Sequence, residues 1–510
     1  MKKPINQLRA GVLLSYVNLA LGSLVPMFYT PVMLRILGQA EHGLYSLAHS
    51  TVSYLSLLSF GFGSAIVRYI AKYRAKNDAE GVRRIYGFFL KLYGTLALLV
   101  VTGGIALTFF APRFFAQSLT VGELQTVRTL IPIMAVQTAL TFPFSVFISV
   151  IIAHERYLYR RIMDIIGTLL TPALNLIALH LGYASVGMAV ASMVAQILLF
   201  LPNLAYSVRV MGLTPSFERV SKSLVRELLG FSAYVFLGNI ADMLFWATDK
   251  VILGMLVGST AVSIYQIGGT FNTMVMQFTT SISNVLAPRI TGMVVRDATP
   301  EQLSELFIRI GRVQFLVVAL IVSGFASFGQ AFIELWAGPD YRDSYWIAVL
   351  TLFPLCVPLI QNTGYQILMS MNKHRFRAVL YVVIAVLNVI STWLLVPRLG
   401  GIGAALCSCV SYLAGHGIAL NLYYHKVIHL DIPEFWRQIL RMFALPGVMM
   451  ALTLLLQRVV RFDNWLIFFA GVILYSILYC ILMYHFCMNT YEKAIVHGFA
   501  GKILRKAGRK

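Results

Sequence analysis

Long apolar stretches recur along the whole chain, and they constrain its fold more than any other feature. A helix needs about 20 apolar residues to cross the hydrocarbon core of a bilayer, and about fourteen such stretches follow one another at short intervals. Only 12% of the 510 residues are charged, about half the share typical of soluble domains, so a soluble surface would carry large apolar patches. The sequence therefore predicts an all-α polytopic membrane protein with about fourteen transmembrane helices.

The predicted spans are separated by intervals of at most about 25 residues, so no soluble domain is expected. They are 10–34, 44–70, 85–110, 124–152, 162–181, 183–207, 229–256, 261–287, 309–333, 346–370, 377–396, 402–424, 438–457 and 464–487. The first stretch is too long for a signal-peptide core, and no small-residue cleavage site follows it. We expect it to be retained as the first span.

The distribution of lysine and arginine predicts the orientation of these spans. When the spans alternate, 33 of the 41 basic residues fall on the side that holds both termini. Positively charged loops remain in the cytoplasm, so both termini are expected there. This topology explains the net charge of +21 without a nucleic-acid partner. The basic tail, residues 488–510, is expected to lie against anionic lipid headgroups.

Three landmarks recur in order at nearly one spacing, which indicates an internal repeat. The segment from Leu37-Gly38 to Tyr45 recurs 220 residues later, from Val257-Gly258 to Tyr265. Phe142-Pro143 recurs 211 residues later as Phe353-Pro354, and Leu181-Gly182 recurs 218 residues later as Leu399-Gly400. Such a repeat predicts two six-helix lobes, residues 1–210 and 229–425, in a pseudo-twofold arrangement around a cavity. Residues 437–487 then form two additional helices.

The ordered motifs of both halves carry a family resemblance. They are 31–45 (PVMLRILGQAEHGLY), 60–65 (FGFGSA) with Arg68, 249–254 (DKVILG) with Tyr265, 336–338 (WAG) and 400–405 (GGIGAA). This set resembles the polysaccharide flippases, the Wzx-type members of the MOP exporter superfamily, which also contains MurJ and the MATE exporters.

The resemblance implies that this chain is a multi-pass protein of a bacterial inner membrane. It also implies that the chain moves a polyprenyl-diphosphate-linked oligosaccharide to the outer leaflet by alternating access. The implied partners are that lipid, membrane lipid, H⁺ or Na⁺, and polysaccharide polymerase machinery. Many Wzx members have twelve spans, so the count of fourteen leaves the subfamily open.

Polar residues inside an apolar span are costly and need a reason. In the seventh span, Asn239, Asp242, Trp246 and Asp249 are spaced to share one helical face. We interpret Asn239 and Trp246 as substrate-binding and Asp242 as cation-coupling. Structural hydrogen bonds to a neighbouring helix are the alternative, and we favour that alternative for Asp249.

Other candidates lie near the ends of spans or on the first two helices. His49 is a second candidate for cation coupling, with packing as its alternative. Arg35, Arg68, Arg289 and Tyr29 are candidates for substrate binding, and Arg312 joins the arginines of a basic inner mouth for a diphosphate. Each arginine also has a simpler interpretation as a topology signal.

Three classes of function remain open. The first is a lipid-linked oligosaccharide flippase. The second is a related transporter, either a cation-coupled MATE-like exporter of small molecules or a lipid II flippase. The third, an enzyme acting on the same lipid, is disfavoured because the longest external segments, 111–123 and 334–345, are too short for a catalytic loop. The sequence has no phosphate-binding loop of the nucleotide-hydrolysing type, and no cofactor is expected. No metal site is expected either, because Cys407 and Cys409 have no further metal-ligating residues nearby.

Overall fold

Helices form every regular element in the part of the chain that the structure describes. The computed structural model describes residues 7–507 apart from 219, 297, 372 and 374. Within the helices, the side chains of 7–13, 229, 231, 233, 234, 278, 280–289 and 499–507 lie outside that description. The expectation of an all-α protein is confirmed.

The chain divides into two compact units, of which the first comprises Met1–Gln266 and Ala385–Ala404. Its helices are α1 (Gln7–Ser53), α2 (Phe62–Ala75), α3 (Ala79–Phe115), α4 (Val121–Ala153), α5 (Tyr157–His180), α6 (Ala184–Ala205), α7 (Lys222–Trp246), α8 (Thr248–Leu256) and the beginning of α9 (Ser259–Val295). A short 3₁₀ helix, Tyr54–Ser59, joins α1 to α2. Helix α1 packs against α4, α5, α6 and α8, and α3 packs against α4.

The second unit comprises Ile267–Ile384 and Ala405–Lys510. Besides the rest of α9, it contains α10 (Pro300–Trp336), α11 (Ser344–Ile360), α12 (Asn362–Ser370), the two ends of α13 (Arg375–Tyr412), α14 (Leu420–Lys426), α15 (Ile432–Leu456), α16 (Trp465–Leu482) and α17 (Thr490–Ala507). Helix α10 packs against α11, α15 and α16. The lobe boundaries at 1–210 and 229–425 stay a prediction.

Nine helical segments of the described chain are long and apolar enough to cross a membrane, and α11 with α12, bent by 44°, makes a tenth. Two of the nine are much longer than one crossing needs: Leu14–Ala75 has 62 residues and Arg375–Lys426 has 52. Each of these covers two predicted spans. The chain is therefore a polytopic membrane protein, and the count of fourteen spans stays a prediction.

Glycines break the helices at the repeat landmarks. Gly38 lies at a kink within α1 (φ 74°) and Gly400 at a kink within α13 (φ 55°). Gly182 (φ 83°) separates α5 from α6, and Gly258 (φ 125°) separates α8 from α9. Only glycine adopts positive φ angles at little cost. All four landmark glycines thus adopt positive φ angles at a helix kink or boundary, and the repeat itself stays a prediction.

Aromatic packing holds α2, α3 and α4 together in the first unit. Tyr86 meets Phe147 edge-on with ring centroids 5.8 Å apart, and Tyr93 meets Phe142 at 5.5 Å. These rings belong to a buried cluster that also contains Phe62. Edge-to-face pairs add stability beyond the area that they bury. The cluster gives the first unit a rigid wall on which polar groups can be positioned.

Candidate functional site

A cavity of about 540 Å³ opens beside α7 in the first unit. We call it the α7 cavity; its lining comes from the 3₁₀ helix and from α2, α3, α4 and α7, and consists of Ser56, Leu57, Ser59, Gly63, Tyr93, Thr141, Phe142, Ser145, Asn239, Asp242, Met243 and Trp246. Three of the four predicted stripe residues, Asn239, Asp242 and Trp246, therefore face one space. Hydroxyl, amide, carboxylate and indole groups thus lie among apolar side chains on the wall of this cavity.

Asp249 does not continue the stripe, because α7 ends at Trp246 and a new helix, α8, begins at Thr248. The Asp249 side chain is fully buried. It accepts hydrogen bonds from the Tyr265 hydroxyl at 2.5 Å and from the Thr392 hydroxyl at 3.3 Å. The expectation that all four residues share one face is wrong at this position. Asp249 and Tyr265 are sequence landmarks because they hold α8, α9 and α13 together within the first unit.

A second cavity, of about 570 Å³, lies between α4, α5 and α6. We call it the α4–α6 cavity; it is lined by Thr141, Phe144, Ser145, Ile148, Arg160, Met163, Asp164, Gly167, Thr168, Thr171, Gln196, Leu199, Phe200 and Asn203. Thr141 and Ser145 belong to both cavities, so the two polar spaces adjoin at α4. The sequence interpretation missed this cavity. A pattern in the sequence of α5 indicates this cavity: the polar residues Arg160, Asp164, Thr168 and Thr171 recur at helical spacing and so share one face.

An ion pair dominates the electrostatics of the α4–α6 cavity. The Asp164 carboxylate contacts Arg160 Nη2 at 2.6 Å and Arg161 Nη1 at 3.2 Å. The three side chains are partly accessible, at 26% for Arg160, 40% for Arg161 and 16% for Asp164. Arg161 is not among the residues that line the cavity, so the charged part of the lining is one guanidinium and one carboxylate. Arg160 and Asp164 therefore present donors and an acceptor to the same space.

Tyr29 is tied into a hydrogen-bond network of the first unit. Its hydroxyl donates to Met188 Sδ and accepts from Asn175 Nδ2, both at 3.3 Å. Asn175 in turn accepts from the Ser192 hydroxyl at 2.9 Å. These contacts join α1 to α5 and α6. Tyr29 lines neither cavity, and its contacts favour a structural role.

The charged candidates of α1 and α2 are accessible side chains outside both cavities. His49, Arg35 and Arg68 are all exposed. Arg68 acts electrostatically on Glu227, at the beginning of α7. The Tyr69 hydroxyl donates to Glu227 and holds the pKa of that carboxyl below its ordinary value, and Lys72 and Arg68 add to this effect. Arg68 thus belongs to a charged surface cluster.

Arg289 and Arg312 are the two further arginines of the predicted inner mouth, and the structure describes the side chain of Arg312 only. The side chain of Arg289 lies outside the described residues. Arg312 is buried in the second unit and paired with Glu492 through Nε–Oε1 at 2.6 Å and Nη2–Oε2 at 2.9 Å. A guanidinium that is buried and paired in this way is not accessible to an incoming diphosphate. The prediction that Arg312 joins an open basic mouth is wrong.

No group of three or more His, Cys, Asp and Glu side chains in the described residues stands close enough to hold a metal ion. The five cysteines are free thiols. The chemistry that this site offers is hydrogen bonding, charge pairing and aromatic contact. Such groups bind and orient a polar molecule.

Comparisons with known proteins identify a family model and a related membrane protein. The family model for "Polysaccharide biosynthesis protein" matches residues 8–294. The uncharacterized membrane protein EpsK of Bacillus subtilis (strain 168) is 19% identical over 482 residues, covering 92% of this chain and 93% of its own length.

Two solved structures are similar over most of the chain. The lipid II flippase MurJ, in an inward closed conformation, aligns with a TM-score of 0.73 at 14% identity, over 93% of this chain and 98% of its own. An inward-facing multidrug resistance MATE transporter of the MOP superfamily aligns with a TM-score of 0.67 at 12% identity, covering 83% and 99%. These likenesses show the fold alone.

Proposed function

Because this chain belongs to the polysaccharide biosynthesis protein family, we propose that it is a flippase for a polyprenyl-diphosphate-linked oligosaccharide. The family match confirms the resemblance inferred from the sequence motifs. The fold is that of the MOP superfamily transporters. In the proposed function, the protein takes the lipid-linked sugar from the cytoplasmic leaflet and releases it in the outer leaflet by alternating access.

The α7 cavity is the observation that carries this proposal. A headgroup rich in hydroxyls and phosphates does not cross hydrocarbon unaided, because each polar group would lose its hydrogen bonds. The α7 cavity replaces those bonds with Asn239, Asp242 and hydroxyl groups, and it adds the rings of Tyr93 and Trp246. A space of about 540 Å³ lies within the range of small-molecule sites. The prenyl chain stays in lipid while the sugar occupies this surface.

Arginines outside the cavities complete the proposed path of the diphosphate. Arg68 is exposed beside Lys72, and guanidinium groups bind phosphate oxygens in pairs. We assign capture at the inner face to Arg68 and Arg289 and release at the outer face to Arg35. The Arg68→Ala variant is expected to capture the lipid less well and to lower the export rate.

The proposed orientation places both termini and residues 72–84, where α2 ends and α3 begins, in the cytoplasm of a bacterium, with the spans in its inner membrane. It follows from the excess of basic residues on that side. A cysteine at position 76 (Lys76→Cys), in a background without the five native cysteines, should stay unlabelled when intact cells meet a membrane-impermeant thiol reagent. Rapid labelling from outside would overturn this orientation.

A cation-coupled exporter of the MATE type is the second candidate, since Asp242 lines the α7 cavity and the fold is shared. A lipid II flippase is the third, since the fold is also that of MurJ. Two experiments distinguish these three functions. In a strain that lacks the gene, loss of surface polysaccharide supports the proposed function and increased drug sensitivity supports the exporter. Expression of the gene in cells depleted of MurJ supports the lipid II flippase if it rescues their growth. The two similar solved structures are named as a flippase and a transporter, and we assign no catalytic step.

The direct test is complementation of that deletion by plasmid-borne variants. The wild-type chain should restore surface polysaccharide, and Asp242→Asn, at equal expression, should restore much less. The matched control is Asp463→Asn, the same exchange at an exposed position outside both cavities, which should restore the polymer fully. Restoration by Asp242→Asn at the wild-type rate would remove Asp242 from the mechanism. Failure of the wild-type chain in its own deletion strain would remove the proposed function.

A further inference from the structure

The α4–α6 cavity has no role in the capture of a diphosphate as described above, yet it carries the chemistry of a ligand site. Asp164 lies just inside the predicted span 162–181, and Arg160 lies just before it. A charge within a span is costly unless it is paired and faces a protein interior or a polar cavity. Arg160 and Asp164 do so here. The pair therefore needs an explanation beyond the orientation of the chain.

The opposite face of α5 shows that this polar surface is not turned toward lipid. Between the two ends of α5, where Tyr157 and His180 are exposed, the exposed side chains recur every three or four residues and are apolar; they are Ile162, Ile166, Leu169, Ala173 and Ile177. The cavity residues Arg160, Asp164 and Thr171 lie between them on the other side of the helix. An amphipathic helix in a membrane protein turns its polar face toward other helices or a cavity. The cavity of about 570 Å³ is that space.

Several hydrogen-bonding groups of the cavity have capacity left for a ligand. Arginine carries five N–H donors, and the contact of Arg160 with Asp164 occupies only part of them. Asn203 is 5% exposed, and its Oδ1 has no hydrogen-bond partner among the described residues. Gln196 makes one contact, from Nε2 to the Gln137 carbonyl oxygen at 3.3 Å. A buried polar atom without a partner costs free energy, so a ligand that supplies a hydroxyl would stabilise the site.

An aromatic pair forms part of the same wall. The rings of Phe144 and Phe200 stack with centroids 3.7 Å apart and an interplanar angle of 8°. A sugar presents hydroxyls at its edge and C–H groups on its faces. A site with a charged donor–acceptor pair, amides, hydroxyls and an aromatic surface matches both parts of such a molecule, whereas a purely apolar ligand would leave the ion pair unsatisfied.

We propose that the α4–α6 cavity is a saccharide subsite for one sugar of the transported oligosaccharide. The hydroxyls of that sugar are bound by Arg160, Asp164, Thr171 and Gln196. This inference rests on the proposed function. The subsite adjoins the α7 cavity at Thr141 and Ser145, so adjacent sugars of one chain occupy the two cavities. The substrate class that follows is a lipid-linked oligosaccharide of at least two sugars.

The test measures surface polysaccharide in the deletion strain complemented by Thr171→Val and Gln196→Leu. Both variants keep the approximate size of the side chain and remove hydrogen bonds to the sugar, so each should lower the export rate by about 3- to 10-fold. The matched controls are Thr129→Val and Gln125→Leu, on exposed positions of α4 outside both cavities. These should export at the wild-type rate.

A thermal unfolding measurement on each purified variant separates binding from folding. The inference requires Thr171→Val and Gln196→Leu to unfold at the wild-type temperature while exporting slowly. Wild-type export by both cavity variants overturns the subsite, and so does a loss of export that follows a loss of stability or extends equally to the controls. Failure of the wild-type chain to restore the polymer instead overturns the proposed function.

Discussion

Two arginine–carboxylate pairs, one in each unit, have the same chemistry and different surroundings. Arg312 and Glu492 are 10% and 1% exposed and meet through two contacts. Arg312 also donates to Gln438 Oε1 at 3.3 Å and to the Cys487 carbonyl oxygen at 3.0 Å. Arg160 and Asp164 are 26% and 16% exposed and line a cavity. The first pair is closed by protein groups, and the second is open to a ligand.

From this difference we propose that the first pair serves the fold and the second serves binding. A buried pair is tolerated only when its remaining donors and acceptors are satisfied, as they are around Arg312. The Arg312 pair ties α10 to α17, while the contact with Gln438 reaches α15. We therefore expect Arg312 to control stability with little direct effect on binding, and Asp164 to do the opposite.

Removing one partner of the closed pair should have the largest effect on stability. The Glu492→Ala variant leaves the Arg312 guanidinium buried without its counter-charge, at a cost of about 3–5 kcal/mol. Thermal or denaturant unfolding of the purified protein in detergent measures this loss. A cost below about 1 kcal/mol, the level of exposed pairs, would show that the two pairs do not differ as described.

Neutralising the open pair should affect export more than stability. In Asp164→Asn, Arg160 and Arg161 lose a carboxylate but keep access to water, so unfolding should change by about 1 kcal/mol or less. Export should fall by about tenfold, which corresponds to about 1.4 kcal/mol of lost interaction with the sugar. Surface polysaccharide and the unfolding transition are measured on the same variant. Large destabilisation with normal export per folded molecule would reverse the assignment of the two pairs.

Asp242 provides an intermediate case, since it is an accessible carboxylate on the α7 cavity. We propose that protonation or cation binding at Asp242 couples export to an ion gradient. The Asp242→Asn variant should unfold like wild type, export several-fold more slowly, and lose sensitivity to a protonophore or to sodium removal. Export that is slow yet still fully sensitive to those treatments would assign Asp242 to sugar binding instead.

The smallest effect is expected for an exposed pair one turn from Arg312 on the same helix. Arg309 contacts Glu305 at i,i+4, and the two side chains are 37% and 67% exposed. The Glu305→Ala variant should change the free energy of unfolding by about 0.3–0.5 kcal/mol and leave export unchanged. This variant is the matched control for Glu492→Ala. Equal destabilisation by both variants would mean that burial does not distinguish them.

The sequence was sufficient to predict the features that depend on local pattern. Apolar length predicted the membrane helices, and the repeat landmarks contain the glycines at 38, 182, 258 and 400, which have positive φ angles in the structure. The spacing within one helix placed Asn239, Asp242 and Trp246 on one face. These predictions succeed because helical periodicity and glycine geometry act over a few residues.

Features that depend on tertiary pairing were not predicted. Arg160 and Arg312 look alike in sequence, since both lie at the inner end of a span and both count as topology signals. Only the fold brings Glu492, from 180 residues away, to Arg312, and only the packing of α4 and α6 makes a cavity beside Arg160. The break between α7 and α8 likewise turned Asp249 away from the predicted stripe.

The leaflet location of the lipid-linked oligosaccharide tests the central claim most directly. Spheroplasts of the deletion strain, with and without the plasmid-borne chain, are treated with a membrane-impermeant oxidant of sugars, and the oxidised fraction of the lipid is measured. The account predicts that the lipid is protected in the deletion strain and becomes oxidised when the wild-type chain is restored. Equal oxidation in both strains would contradict the claim that this protein moves the lipid across the membrane.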